Sequence, residues 1–211
     1  YEIRNCDWSS DVCSSDLALS GFDACNTTNV AQIGDKQLLL LRIPTLVGSD
    51  SFSFSYNPAT AFLPEFWQLN FDPEPNRVQP NADYYDYKIS IDPATGAGRT
   101  FAGSALSADI NPGGITNIDK CIATTAAGLA YPATNPPCDL LTQEFKPGQN
   151  PDPATGFTPL ASQSLTTIYV RDGWNINGND GANIRKISNS FTQSSVPGPL
   201  PLLGALASLQ A

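Results

Sequence analysis

In the hexapeptide Ser51-Phe52-Ser53-Phe54-Ser55-Tyr56, every ring falls on one side of an extended chain and every serine on the other. Side chains alternate faces along a strand, so this stretch can bury its rings together only as β-structure; a helix would scatter them around its axis. The same period of two returns at Tyr85, Tyr87, Ile89 and Ile91, which stand opposite Asp86, Lys88 and Ser90. Leu38 to Ile43 is apolar with one Arg and stops at Pro44. That run suits a strand covered on both sides or a short helix, and its shortness and the proline favour the strand.

The turns carry their own chemistry. In Asp92-Pro93-Ala94-Thr95-Gly96, proline presets φ, the aspartate can accept a local hydrogen bond and glycine tolerates positive φ. A turn there links a strand ending at Ile91 to one covering roughly Arg99 to Ile110. Asp152-Pro153-Ala154-Thr155-Gly156 repeats these five residues without matching flanks, as reused turn chemistry would. Leu165 to Ile176 and Ala182 to Gln193 read as a final hairpin around Asn177-Gly178-Asn179-Asp180-Gly181, with Ile168 and Val170 on one face of the first arm and Ile187, Asn189 and Phe191 on one face of the second. Ala61 to Leu69 fits either a helix, from the spacing of Phe62, Phe66 and Leu69, or an aromatic-rich strand.

Asn111 to Asp152 has little periodicity and many Pro, Gly and Ala residues, and reads as a long excursion from the sheets. Cys121 and Cys138 bracket its most irregular part. In an oxidising compartment a disulfide between them closes that loop; two free thiols, or a pairing of Cys25 with either, are the alternatives.

The chain contains no histidine. Without it there is no Ser-His-Asp or Cys-His nucleophile and no usual general base near neutral pH, so no catalytic residue is assigned. Carboxylates remain: Glu65, Asp72 and Glu74 lie near Phe66, Trp67 and Phe71, a combination open to glycosidase chemistry but better read as a solvated Pro-rich loop. No cofactor and no metal site is expected. Zinc lacks ligands, and Asn175, Asn177, Asn179 and Asp180, like Asp109, Asn111 and Asp119, miss the calcium-loop pattern.

The two ends do not read as fold. Residues 1–17, including Asp7-Trp8-Ser9-Ser10-Asp11-Val12-Cys13-Ser14-Ser15-Asp16-Leu17, resemble a translated sequencing adapter and are set aside as non-native. Removing Glu2, Asp7, Asp11, Asp16 and Arg4 takes the 20 acidic and 11 basic residues to 16 and 10, a formal charge of −6. With no basic cluster, that acidity argues against nucleic acid as a partner. A secretion signal and a native start are expected to have preceded Ala18. At the other end, Val196-Pro197-Gly198-Pro199-Leu200-Pro201 opens onto the apolar run Leu202 to Ala207. Its prolines hold the chain extended, and about ten apolar residues fall short of the roughly twenty that span a bilayer.

This ending resembles the PEP-CTERM sorting signal of exported bacterial proteins, in the form common in cyanobacteria, with Val196, Pro197, Gly198 and Pro199 as the sorting motif. The resemblance extends to Ile187 to Gln193, which is similar to the last strand of such proteins. It implies export to the cell envelope or extracellular space and an exosortase-type sorting enzyme as partner. Many members have Glu where Gly198 stands, and the Arg cluster that usually follows is missing, so the tail is expected to be truncated.

The sequence therefore predicts an all-β chain: residues 18–193 forming a two-sheet antiparallel β-sandwich, Ig-like or jelly-roll-like, of roughly seven to ten strands, with a long irregular excursion, and residues 194–211 forming an extended sorting tail. The role expected is structural or adhesive, at the cell surface or within extracellular polysaccharide or biofilm. One alternative is a carbohydrate- or calcium-dependent binding module using exposed Trp67, Trp174 or the tyrosines around Tyr84. A second is a carboxylate-based hydrolase.

Overall fold

A computed structural model of the chain describes residues 30–42, 44, 51–59, 61, 64–73, 82–110, 115–129, 138–145, 157–161, 164–176 and 184–195. Two antiparallel sheets face one another. The first holds β1 (Ala31–Ile33), β2 (Lys36–Arg42), β5 (Ala82–Ile91), β10 (Thr167–Ile176), β7 (Ile115–Ala123) and β8 (Leu141–Phe145), in the order β1-β2-β5-β10-β7-β8. The second holds β3 (Ser51–Asn57), β4 (Phe66–Asp72), β11 (Ile184–Ser195), β6 (Arg99–Ile110) and β9 (Thr158–Pro159), in the order β3-β4-β11-β6-β9. The expected sandwich is the observed architecture.

The alternating strands sort as their periodicity requires. Phe52 and Phe54 of β3, and Tyr85, Tyr87, Ile89 and Ile91 of β5, are buried between the sheets. Opposing rings interlock: Phe52 stacks on Phe71 at 4.9 Å and meets Tyr85 edge-on at 5.1 Å, while Phe71 stacks on Trp174 at 5.7 Å. Because Phe52 and Phe71 come from one sheet and Tyr85 and Trp174 from the other, these contacts fasten the layers together. Ring pairs in such geometry add to the area they bury.

Two expectations are corrected and one open alternative is decided. The final pair of strands is not a hairpin: β10 lies between β5 and β7 in the first sheet, and β11 between β4 and β6 in the second. Both strands carry an apolar face, and each buries it more completely in the middle of a separate sheet than the two could against one another. The excursion contains two strands, β7 and β8. Charged Asp119 and Lys120 between Ile118 and Ile122 hid the periodicity of β7, whose inward residues are Ile118, Lys120 and Ile122. The ambiguous stretch at 61–69 resolves as strand from Phe66, since Trp67, Leu69 and Phe71 share the buried face that the helical spacing would have split.

Cys121 and Cys138 form a disulfide, with Cα atoms 5.5 Å apart. It closes the long connection between β7 and β8, a loop for which chain entropy gives about 3 kcal/mol. Asp139 accepts hydrogen bonds from the Thr124 amide at 3.0 Å and hydroxyl at 2.6 Å, tying the same neck. Strand β11 runs to Ser195, past the boundary expected at residue 193. The segment 1–17, Cys25 and the sorting motif Val196, Pro197, Gly198 and Pro199 lie outside the described residues.

Phe71→Ala removes the ring that touches both Phe52 and Trp174. The expected cost is about 3–5 kcal/mol of unfolding free energy by urea titration; a loss below about 1 kcal/mol would show that this stack does not hold the sheets together.

Candidate functional site

One end of the sandwich is built by two turns that bind to each other. Gly34, at φ +60°, and Asp35 form the two-residue loop between β1 and β2, a conformation that suits glycine at its first position. The second turn is the expected Asp92-Pro93-Ala94-Thr95-Gly96. Asp92 accepts from the amide of Ala94 at 2.9 Å and from the Gln32 side chain at 3.0 Å, and its own amide donates to the Asp35 carbonyl at 2.8 Å. This turn joins strands of different sheets, β5 and β6, and so caps the sandwich end. Positive φ belongs to Gly98, at +73°, and not to Gly96. Gly96 is needed for room, because a Cβ there would lie 2.3 Å from the Ile91 side chain and 2.8 Å from an Asp35 oxygen.

Between these turns and the adjoining ends of β3 and β4 lies an open cavity of about 380 Å³. Trp67 and Tyr56 give it an aromatic corner, with ring centroids 5.0 Å apart. Trp67 is only 2% exposed, whereas Tyr56 is 38% exposed. Around the rings stand Asp35, Glu65, Thr95 and Arg99. Glu65 accepts from the Tyr56 hydroxyl at 2.9 Å, which raises the phenol's pKa because deprotonation would lose that bond. Asp35 accepts from Lys36 at 2.7 Å and pairs with Arg99 at 3.3 Å; Arg99 also lies 3.9 Å from Glu65. Lys36 is fully buried, its Nζ 3.8 Å from the Trp67 ring centre. Burial lowers its pKa, and Asp35 offsets part of the effect. The exposed Tyr56 ring, edged by fixed donors and acceptors, suits a polyhydroxylated ligand, which offers apolar ring faces and hydroxyls at its edge.

The interior holds a second polar group. Tyr85, Asp172, Lys120 and Gln143 are successive cross-strand partners on β5, β10, β7 and β8, so they form one row across the inner face of the first sheet. Opposite them, Ser104 Oγ accepts from Lys120 at 2.7 Å, the Ala105 carbonyl accepts from the same ammonium at 2.8 Å, and Asn189 donates to the Tyr85 hydroxyl at 3.0 Å. Asp172 is completely buried, and neither carboxyl oxygen has a well-formed hydrogen bond among the described residues. Burial therefore pushes its pKa up to about 7, with Lys120 and the hydroxyls of Tyr87 and Tyr85 offsetting only part of the effect. Lys120 is driven down to about 7 by the same desolvation.

Not every residue singled out in the sequence reaches a surface site. Trp67 and Trp174 are buried, not exposed: Trp67 lines the cavity from below and Trp174 belongs to the core. Their flat apolar bulk is worth more between the sheets than in water. Tyr84 lies on the outer face of β5, stacked by Arg42 and Arg171 at 3.4 and 4.2 Å, and Arg171 grips Asp86 through two contacts of 2.7 Å. Of the carboxylates considered for hydrolysis, Glu65 reaches the cavity, Asp72 stands at the far end of β4, 3.9 Å from Lys186, and Glu74 lies outside the described residues. Asp109 and Asp119 sit on strands of opposite sheets; Asn111 and residues 177–181 lie outside the described residues.

Asp35, Arg99, Lys36 and Gln193 were not expected at a site. The available signal was a charge at inward parity: Lys36 precedes Leu38 and Leu40 by steps of two, as Lys120 falls between Ile118 and Ile122. Scans against known protein-family models and searches of curated proteins and solved structures find no match to this chain.

The interior row makes stability depend on pH in a definite sense. Between the ordinary carboxylate value of 3.8 and about 7, the folded chain keeps the Asp172 proton that the unfolded chain releases. Stability contributed by this group therefore falls as pH rises across that window. Asp172→Asn should flatten the decline in a series of urea titrations from pH 4 to pH 7, whereas an unchanged slope would mean that Asp172 titrates normally.

Proposed function

We infer that this chain is an exported β-sandwich protein of the cell surface or extracellular matrix, structural and adhesive in role, and that it holds surface polysaccharide through the cavity at the Gly34-Asp35 end. The observation that carries the reading is the half-exposed Tyr56 ring, backed by the buried Trp67, standing beside Glu65, Asp35 and Arg99 around one open cavity. An apolar platform with charged groups at its rim lets a sugar ring stack while its hydroxyls exchange hydrogen bonds with carboxylate and guanidinium. The rim groups are held by one another, so little side-chain entropy remains to be lost on binding. Export and sorting rest on the Val196-Pro197-Gly198-Pro199 motif, which supports an exosortase-type enzyme as the processing partner.

The half-exposed position of Tyr56 makes it the residue to test, because truncating it leaves the buried stack of Phe52, Phe71 and Trp174 untouched. On a glycan array the native chain should retain a defined set of polysaccharides, and Tyr56→Ala should weaken retention roughly tenfold or more, the effect of losing over about 1.4 kcal/mol. Absence of glycan retention by the native chain, or full retention by Tyr56→Ala, would remove the cavity from the account. Release of cleaved sugar from a bound glycan, lost in Glu65→Gln, would replace adhesion with the carboxylate-hydrolase reading.

A further inference from the structure

Lys36 and Gln193 meet across the sandwich. They are 157 residues apart, Lys36 on β2 of one sheet and Gln193 on β11 of the other, and the lysine Nζ donates to the Gln193 amide oxygen Oε1. The two groups around them have complementary roles. Asp35 Oδ1 lies 2.7 Å from the same Nζ, and Glu65 Oε1 accepts from the amide nitrogen Nε2 of Gln193. The Trp67 ring covers Nζ from a third side at 3.8 Å.

The geometry points to an intramolecular isopeptide bond between Lys36 and Gln193, formed within the folded chain and tying the two sheets together covalently. This goes beyond the adhesive reading and does not require it. An amine attacks a carboxamide only as the free base, only when held against it, and only with a group ready to protonate the departing nitrogen. All three conditions have a residue here. Burial lowers the Lys36 pKa and so brings the free amine within easier reach, while Asp35, which favours the charged form, lies 2.7 Å away to take the proton. Its lone pair attacks Cδ of Gln193, and Asp35 accepts the proton that Nζ sheds. Asp35 and Glu65 line the same open cavity, so solvent there carries the proton from Asp35 to Glu65, which hands it on to the Nε2 it contacts; the bond from Cδ to Nε2 breaks and ammonia leaves. The net change moves one proton from Nζ to Nε2, so charge balances, and no oxidant, metal or further reactant is consumed. The product amide joins β2 to the last strand and carries pulling force across the sandwich without relying on sheet hydrogen bonds.

The test is the mass of the purified full-length chain. With the Cys121–Cys138 disulfide reduced, the mature protein should be lighter than its sequence mass by one ammonia, and trypsin should fail to cut after Lys36, leaving a branched peptide that joins the Lys36 and Gln193 segments. Lys36→Arg should restore the full sequence mass, and Glu65→Gln should leave a larger fraction of unlinked chain at equal times after synthesis. A native chain at full sequence mass overturns the proposal. So does ammonia loss traced to a linear peptide, such as the one holding Asn177-Gly178. Because the readout is mass, its outcome is independent of glycan retention: an unlinked chain that binds glycan sinks the cross-link alone, and a linked chain that binds none sinks the adhesive cavity alone.

Discussion

Burial of the aromatic faces of the two sheets against one another is the constraint on which the rest of the structure depends. Phe52 and Phe71 from one layer and Tyr85 and Trp174 from the other meet in the interior, where the dispersion and hydrophobic gain of such large rings opposes the conformational entropy lost on folding. That gain fixes strand register, since a slip of one residue would turn the inward rings Phe52 and Phe54 of β3, or Tyr85 and Tyr87 of β5, toward water. It also explains the division of the last two strands between layers. Placing β10 and β11 in separate sheets gives both a central position, and the apolar face of each is covered.

Polar groups at inward positions depart from this scheme in two places. At the middle of the first sheet, Asp172 and Lys120 face each other, and burial draws both toward neutrality near pH 7. Charged forms would suffer desolvation that their mutual attraction does not fully offset. At the sandwich end, Lys36 is also closed off from solvent but lies nearer the surface, and it reaches Asp35 and Gln193 as well as the Trp67 face. The same desolvation thus acts on two lysines with different surroundings: Lys120 is held by a serine hydroxyl and a backbone carbonyl, Lys36 by a carboxylate and a carboxamide. Only the second stands against a side-chain carboxamide, with Asp35 at the amine and Glu65 at the amide nitrogen.

Much of the fold was legible residue by residue. The strands at 51–57 and 82–91, the turn at 92–96 and the strand beginning at Arg99 all follow from period-two alternation and turn chemistry. Strand β7 escaped because Lys120 occupies an inward position and broke the apolar pattern by which strands are recognised. The candidate site was only partly visible. Glu65 and Trp67 drew attention as neighbours in sequence, but Asp35, Tyr56, Arg99 and Gln193 come from four other segments, and no local pattern relates them.

The sequence by itself determined that the chain is a β-sandwich, where its clearest strands lie and which of their faces turn inward, because alternation, turn residues and the bend at prolines act over a few neighbouring positions. It also singled out the pair Cys121 and Cys138, whose disulfide closes a connection bounded by the two cysteines along the chain. Only the tertiary structure decided which strands share a sheet, that Trp67 and Trp174 are interior residues, and that Lys36, Gln193, Asp35 and Glu65 stand within hydrogen-bond reach. The physical reason is range. Pleat and turn are set by local backbone sterics, whereas the meeting of groups 157 residues apart depends on how two aromatic layers pack, a condition that no short stretch of this chain contains.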